Sequence, residues 1–207
     1  MYDGKDYEKT MSKMDEMVAV FPASLLANYT KSGYYKFHTR MIDAVLKHIT
    51  FQRRGNIEED VSWRQLIPYV YIYNKEGALL AYRRTAAGME HRLHAKVSVG
   101  FGGHINKEDA SDDPDLLLQN AGYRELLEEL SFSPTLTRQL VPAGFIVGHE
   151  SLVDKVHFGV ALALSYTGTV TAHDSECEIL GWRRRVDLLH EPHLENWSKK
   201  LLTEFGR

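Results

Sequence analysis

Arg124-Glu125-Leu126-Leu127-Glu128-Glu129-Leu130 is the stretch of this 207-residue chain whose residue types and spacing could do chemistry. Glu125, Glu128 and Glu129 stand at i, i+3 and i+4, so on a helix their carboxylates emerge from one face. Three clustered carboxylates repel one another, and a hard cation relieves that repulsion. Magnesium takes oxygen ligands, keeps several waters and is commonly held by carboxylates together with substrate phosphates. Arg124 precedes Glu128 by four residues and can pair with it. The same letters also suit a solvated acidic face, on which one ion pair contributes roughly a few tenths of a kcal/mol. At about 100° per residue, Leu116, Tyr123, Leu126, Leu127 and Leu130 are expected to gather on the opposite face, with Ala121 and Gly122 leaving room above the carboxylates.

Just upstream lies Gly100-Phe101-Gly102-Gly103-His104-Ile105. Joined to the helix, it resembles the Nudix box: a Gly, a Glu after five residues, then Arg-Glu-apolar-x-Glu-Glu-x-Gly-apolar. Arg124, Glu125, Leu126, Glu128, Glu129 and Phe132 match the second half position by position, and Gly103 matches the leading glycine. Asp109 stands where the family has Glu, with Glu108 as the neighbour that could substitute. Fourteen residues separate Asp109 from Arg124 where the family has seven, which implies an inserted loop through Ala110 to Pro114. Ser131 replaces the final glycine. Gln65 to Tyr69, Ser98 to Asn106 and Val156 to Val160 are similar to a Nudix branch labelled predicted phosphoesterases, which also carries an N-terminal lobe.

The resemblance implies an α/β/α sandwich with a mixed β-sheet and a metal-dependent hydrolase that cleaves a phosphoanhydride in a nucleoside diphosphate-linked or related substrate. It implies Glu125 and Glu129 as main ligands of magnesium, or of manganese in its place, with Glu128 a third ligand or a water-bridging group. The carbonyl of Gly102 is a further ligand candidate, and Arg124 would hold the glutamates. Many Nudix enzymes place another acidic residue after the later strands; Glu178 is the first candidate, followed by Glu176 and Glu150. Substrate phosphates need positive partners, and Arg83, Arg84, Arg92 and Lys96 flank the strand leading to the glycines. For each of these side groups an ordinary surface role competes equally. His91 and His94 alone fall short of a zinc site. His157 reads as a core histidine, and Tyr69, Tyr71, Tyr73 and Tyr82 as strand packing. The rival reading is a Nudix-fold nucleotide-binding or regulatory protein without turnover; a third is a partner-binding protein that docks through its N-terminal lobe.

The elements that must position these residues follow from periodicity. The pattern predicts a strand at Met17 to Phe21, a helical turn at Leu25 and Leu26, and an amphipathic helix over Phe37 to Ile49. The charged stretch Gln52 to Asp60 reads as a connection, which divides residues 1–65, an extension or lobe, from a hydrolase domain over 66–207. Ile67 to Tyr73 and Ala78 to Arg83 form a hairpin, and Val97 to Phe101 is one short strand. Asp113-Pro114 starts the helix that runs to about Leu130. Strands at Leu140 to Val147, Val156 to Tyr166 and Glu178 to Trp182, then a helix over Glu195 to Phe205, complete a mixed α/β order.

Composition fits a globular domain: 43% hydrophobic and 26% charged residues, a net charge of -3 and pI near 6.4. That balance gives no sign of a nucleic-acid-binding surface. The single cysteine, Cys177, lies between Glu176 and Glu178, which raise rather than lower a thiol pKa. Neither a signal peptide nor an apolar run of membrane-spanning length is visible, so a soluble cytoplasmic protein with a small nucleotide-like substrate is expected, with a homodimer common for such a fold.

Overall fold

The computed structural model describes residues 13–85, 95–111, 113–137, 139–173, 175 and 177–204. Its spine is the strand β4 (Trp63–Tyr73), in which Arg64 to Ile72 are all buried. Such an unbroken buried run arises where both faces of a strand are covered. The strands before it are β1 (Met17–Pro22), β2 (Gly33–Lys36) and β3 (Thr50–Arg53). After it come β5 (Leu79–Arg84), β6 (Val97–Ser98), β7 (Gly100–Phe101), β8 (Leu130–Ser133), β9 (Val141–Val147), β10 (His157–Ser165), β11 (Thr169–Ala172) and β12 (Cys177–Arg183). The main sheet runs β12-β5-β4-β10-β9-β2, with β4 and β10 parallel and the other pairs antiparallel.

One face of the sheet packs on the helix Pro114–Glu129 through Leu117, Leu118, Ala121 and Leu126. The other packs on the helix Asn196–Glu204 through Leu201 and Leu202, against Tyr69, Tyr71, Ala161 and Ala163. This is the expected mixed α/β sandwich. Residues 1–65 contribute β1, β2 and β3 to the same sheet: β1 pairs with β3 and β4, and β2 with β9. Among the described residues no helix is long and apolar enough to cross a membrane.

Several local expectations are corrected. The charged stretch Gln52 to Asp60 is no plain connection, because it holds the end of β3 and a helical turn, Arg54–Ile57, whose Ile57 is buried. Val97 to Phe101 is two pieces, since β6 pairs with β5 while β7 pairs with β4. The hydroxyl of Tyr82 donates to the carbonyl of Gly100 at 2.8 Å across that break.

The most consequential correction concerns the helix faces. Leu116 and Leu127 are exposed, at 48% and 52%, whereas Ala121 and Gly122 face the core. A Cβ on Gly122 would lie 2.6 Å from Leu140 Cδ1, so the helix sits there on bare backbone. Leu118, Ala121, Gly122, Glu125 and Glu129 share one stripe by helical spacing. The acidic residues therefore do not oppose the apolar face; Glu125 and Glu129 border it, each beside a fully buried leucine, Leu126 and Leu130.

Candidate active site

Asp109 is the foundation of the site. Its segment Lys107–Asp109 is a single helical turn capped by Asn106, whose backbone N–H donates to Asp109 Oδ2 at 2.8 Å. Only 4% of Asp109 is exposed, and its carboxylate accepts two hydrogen bonds of 2.9 Å from Nε and Nη2 of Arg124. Bidentate pairs of this kind fix orientation as well as charge. Of the two acidic residues left open by the sequence, Asp109 reaches Arg124, while Glu108 is exposed. Asp109 thus anchors the helix from its own short turn, ahead of the loop that begins at Ala110.

The guanidinium spreads further. Nη2 donates to the carbonyl of His104 at 2.8 Å, and Nη1 to Glu125 Oε1 at 2.8 Å and to Glu128 at 3.3 Å. Asp109, followed by Glu125, holds Arg124 above its ordinary range. Glu125 lies against Gly103: a Cβ there would stand 2.5 Å from both carboxylate oxygens. A side chain at that position would have to displace the Glu125 carboxylate. Burial pushes the Glu125 carboxyl up, and Arg124 opposes the shift. Glu128 is exposed, with 58% of its side chain in solvent. Glu129 is half-buried, and its charge helps to hold Arg84 above its ordinary range, after the larger effect of Tyr82.

This electrostatics carries a testable pH dependence. A carboxyl with a raised folded-state pKa favours the fold while protonated and loses that contribution as pH rises through it. Metal-free protein is expected to lose stability across and just above the carboxylate range through Glu125. If Glu125 is a magnesium ligand, only its ionised form can bind, so stabilisation by magnesium should be present at neutral pH and vanish at acid pH. Thermal melts with and without magnesium check this; an equal shift at both pH values counts against Glu125 as a ligand.

The other sequence candidates separate cleanly. Gly102 follows β7 and lies against β4, where a Cβ would run into the carbonyl oxygen of Pro68. Arg84 shares a sheet face with Tyr82 and the carboxylate helix, and its guanidinium lies 5.5 Å from the Tyr82 ring centroid. Arg83 points to the other face. There it pairs at 3.0 Å with Glu178, its register partner on β12. Glu178 and Arg83 thus stand across the sheet from Glu125, because adjacent strand residues alternate faces. Lys96 is half-buried beside β6, with its carbonyl accepting from the Arg84 N–H. Glu150 pairs with Lys200 at 3.0 Å on the side of the second helix. Arg92, His91, His94 and Glu176 lie outside the described residues. Among the described residues, no three His, Cys, Asp or Glu side chains are already grouped as a metal site.

Sequence reasoning missed a cavity of about 210 Å3 on the other side of the glycine loop. Arg84, Gly102, Gly103, His104, His157 and Trp197 line it. His157 is no sealed core histidine: its Nε2 lies 3.3 Å from His104 Nε2, and His104 Nε2 lies 2.6 Å from Gln65 Oε1. Burial, then Arg54, keeps His104 well below its ordinary pKa. Trp197, from the last helix, carries no motif signal; only the fold brings it to the glycines. A larger cavity, about 440 Å3, opens near Tyr34 and Lys200 and includes none of the carboxylate-helix residues.

No protein-family model matches the chain. Protein YmaB of Bacillus subtilis (strain 168) is 37% identical over 205 residues, which cover 91% of this chain and 97% of that protein. Tm1382, described as a candidate Nudix hydrolase, superposes with a TM-score of 0.73 at 22% identity over 91% of this chain and 97% of its own. A NUDIX hydrolase from Alicyclobacillus acidocaldarius gives a TM-score of 0.50 at 15% identity, over 68% of this chain and 90% of that one. The chain belongs to one family with Protein YmaB, and its fold is the one seen in solved Nudix hydrolases.

Proposed function

We propose that the protein is a magnesium-dependent hydrolase of phosphoanhydride bonds, acting on a small nucleotide-like substrate. The observation that carries this reading is the carboxylate of Glu125, packed against the bare backbone of Gly103 with Glu129 one turn further on. The last turn of that helix, Leu126 to Glu129, holds no basic residue and ends on a negative dipole. Acidic groups there are unfavourable unless a cation faces them. Carboxylate and carbonyl oxygens with a close-packed glycine are a hard donor set, and they fit magnesium or manganese. Glu125 and Glu129 would be the main ligands, with Glu128 reaching through water and the Gly102 carbonyl beside them. When bound, the ion screens the diphosphate and makes water a stronger nucleophile near neutral pH.

The chain's own groups do the rest. Arg124, anchored by Asp109, positions Glu125 and Glu128 and spends its donors on protein acceptors. Arg84 offers positive charge on the same face as Glu129. Arg83 and Glu178 neutralise each other across the sheet and stay out of the reaction.

The rival, a nucleotide-binding protein without turnover, is favoured by one observation: Arg124 already engages two of the three glutamates. Phosphate release from nucleotide sugars, dinucleoside polyphosphates, ADP-ribose and nucleoside triphosphates, with and without magnesium, separates the two. Magnesium-dependent release from at least one class is expected. Saturable binding with no release from any class would favour the rival.

A further inference from the structure

The carboxylate helix ends without a turn. Its last residue is Glu129, and β8 begins at once with Leu130. A glycine closes a helix by taking a left-handed conformation, which returns N–H groups to the last carbonyls. Ser131, at the position of the box's final glycine, does not act in this way. Among the described residues other than glycine, Ala95 alone has a positive φ. Ser131 lies instead in the β8–β11 ladder, opposite Thr171. The last carbonyls of the helix therefore need donors from elsewhere.

Two of those donors come from one residue. The ladder pairs Leu130 with Ala172, and the next residue, His173, reaches back over the helix end. Its backbone N–H donates to the carbonyl of Glu129 at 3.0 Å. Its ring Nδ1 lies 3.1 Å from the carbonyl of Glu128. A carbonyl only accepts, so Nδ1 carries the proton of this bond. His173 is held from both sides. Before it, the ladder is braced by Phe132, which meets Tyr166 edge to face with centroids 5.1 Å apart. After it, the hydroxyl of Thr85 donates to the carbonyl of Ser175, and Cys177 pairs with Arg84 in register. The connection from β11 to β12 thus links the end of the carboxylate helix to the strand that carries Arg84.

The consequence is positional. Glu128 and Glu129 are the last two residues of the helix, where an uncapped turn frays. Arg124 bonds the side chains of Glu125 and Glu128, whereas His173 bonds the backbone of Glu128 and Glu129. We propose that His173 is a positioning residue of the carboxylate site: it caps the helix from β11, in place of a glycine, and so fixes where Glu128 and Glu129 stand. The inference rests on the hydrolase reading for the cation that those carboxylates hold.

His173 is exposed, so replacing it leaves the core intact. In His173→Ala the backbone bond stays and the ring bond goes. Amide hydrogen exchange over the last turn, Leu126 to Leu130, should quicken roughly fivefold, the factor for one hydrogen bond of ordinary net strength. Manganese affinity, followed by electron paramagnetic resonance, should fall by a similar factor. His173→Leu keeps bulk without a donor and should match His173→Ala. His173→Asn places an amide nitrogen where Nδ1 stood, so it should restore both slow exchange and affinity. Unchanged exchange in His173→Ala, or an asparagine variant no better than the leucine one, overturns the proposal. Faster exchange with wild-type manganese affinity overturns it too, since the cap would then not position the ligands. Wild-type protein that neither binds manganese nor releases phosphate defeats the hydrolase reading. The exchange series then decides the cap by itself: fast alanine with slow asparagine upholds it, and equal rates remove it.

Discussion

Glu129→Gln is expected to lower turnover at least about a hundredfold, equivalent to roughly 2.7 kcal/mol of barrier. The substitution keeps size and hydrogen-bonding capacity and removes the charge that would face the proposed cation. Without it the diphosphate is less screened and water is less acidic. Stability should change little, for two effects oppose each other. A repulsion with Glu125, four residues earlier, is relieved. An attraction that helps to hold Arg84 charged is lost. Both are partly solvated, so a net change under about 1 kcal/mol is expected. Turnover and magnesium affinity, measured on the substrate that the release panel yields, decide the matter. Near-normal values for both would end the ligand assignment of Glu129.

Arg124→Ala should be the most damaging single change at the site. It leaves Asp109, 4% exposed, with a buried charge and no guanidinium, and it frees Glu125 and Glu128 from their common donor. Removing one partner of a buried ion pair costs roughly 3 kcal/mol. Chemical denaturation is expected to show that loss, with magnesium affinity falling as well, since the carboxylates lose their fixed spacing. Asp109→Asn is the informative control: it keeps the shape and one acceptor, so it should cost less than Arg124→Ala alone. In the double variant the two costs should be clearly less than additive, because the residues form one unit. Additive costs would show that the Asp109–Arg124 pair is not what holds the glutamates.

The two predictions differ in what the sequence revealed of their residues. The spacing of Glu125, Glu128 and Glu129 and the Gly102-Gly103 pair are local signals, and each was legible because helix geometry and glycine's missing Cβ act within a few residues. The helix Pro114–Glu129, the β4–β5 hairpin and the long apolar runs of β9 and β10 were legible for the same reason. Short elements such as β2, β8 and β11 were not, because four residues carry no period; pairing with a distant strand makes them.

The acidic stripe was read as opposite the leucines since a polar-out rule was applied to the whole helix. In the fold the apolar face runs the length of the helix to Leu126 and Leu130, and Glu125, against the glycine loop, and Glu129 stand beside those leucines. Sequence by itself determined that carboxylates, glycines and a sheet of this kind would occur together. Tertiary structure decided the rest. It chose Asp109 over Glu108, sent Arg83 and Glu178 to the far face by strand alternation, and carried Trp197 and His157 to the cavity beside Gly103. Those choices depend on contacts between residues up to about a hundred positions apart, which arise from packing and strand register and leave no local pattern to read.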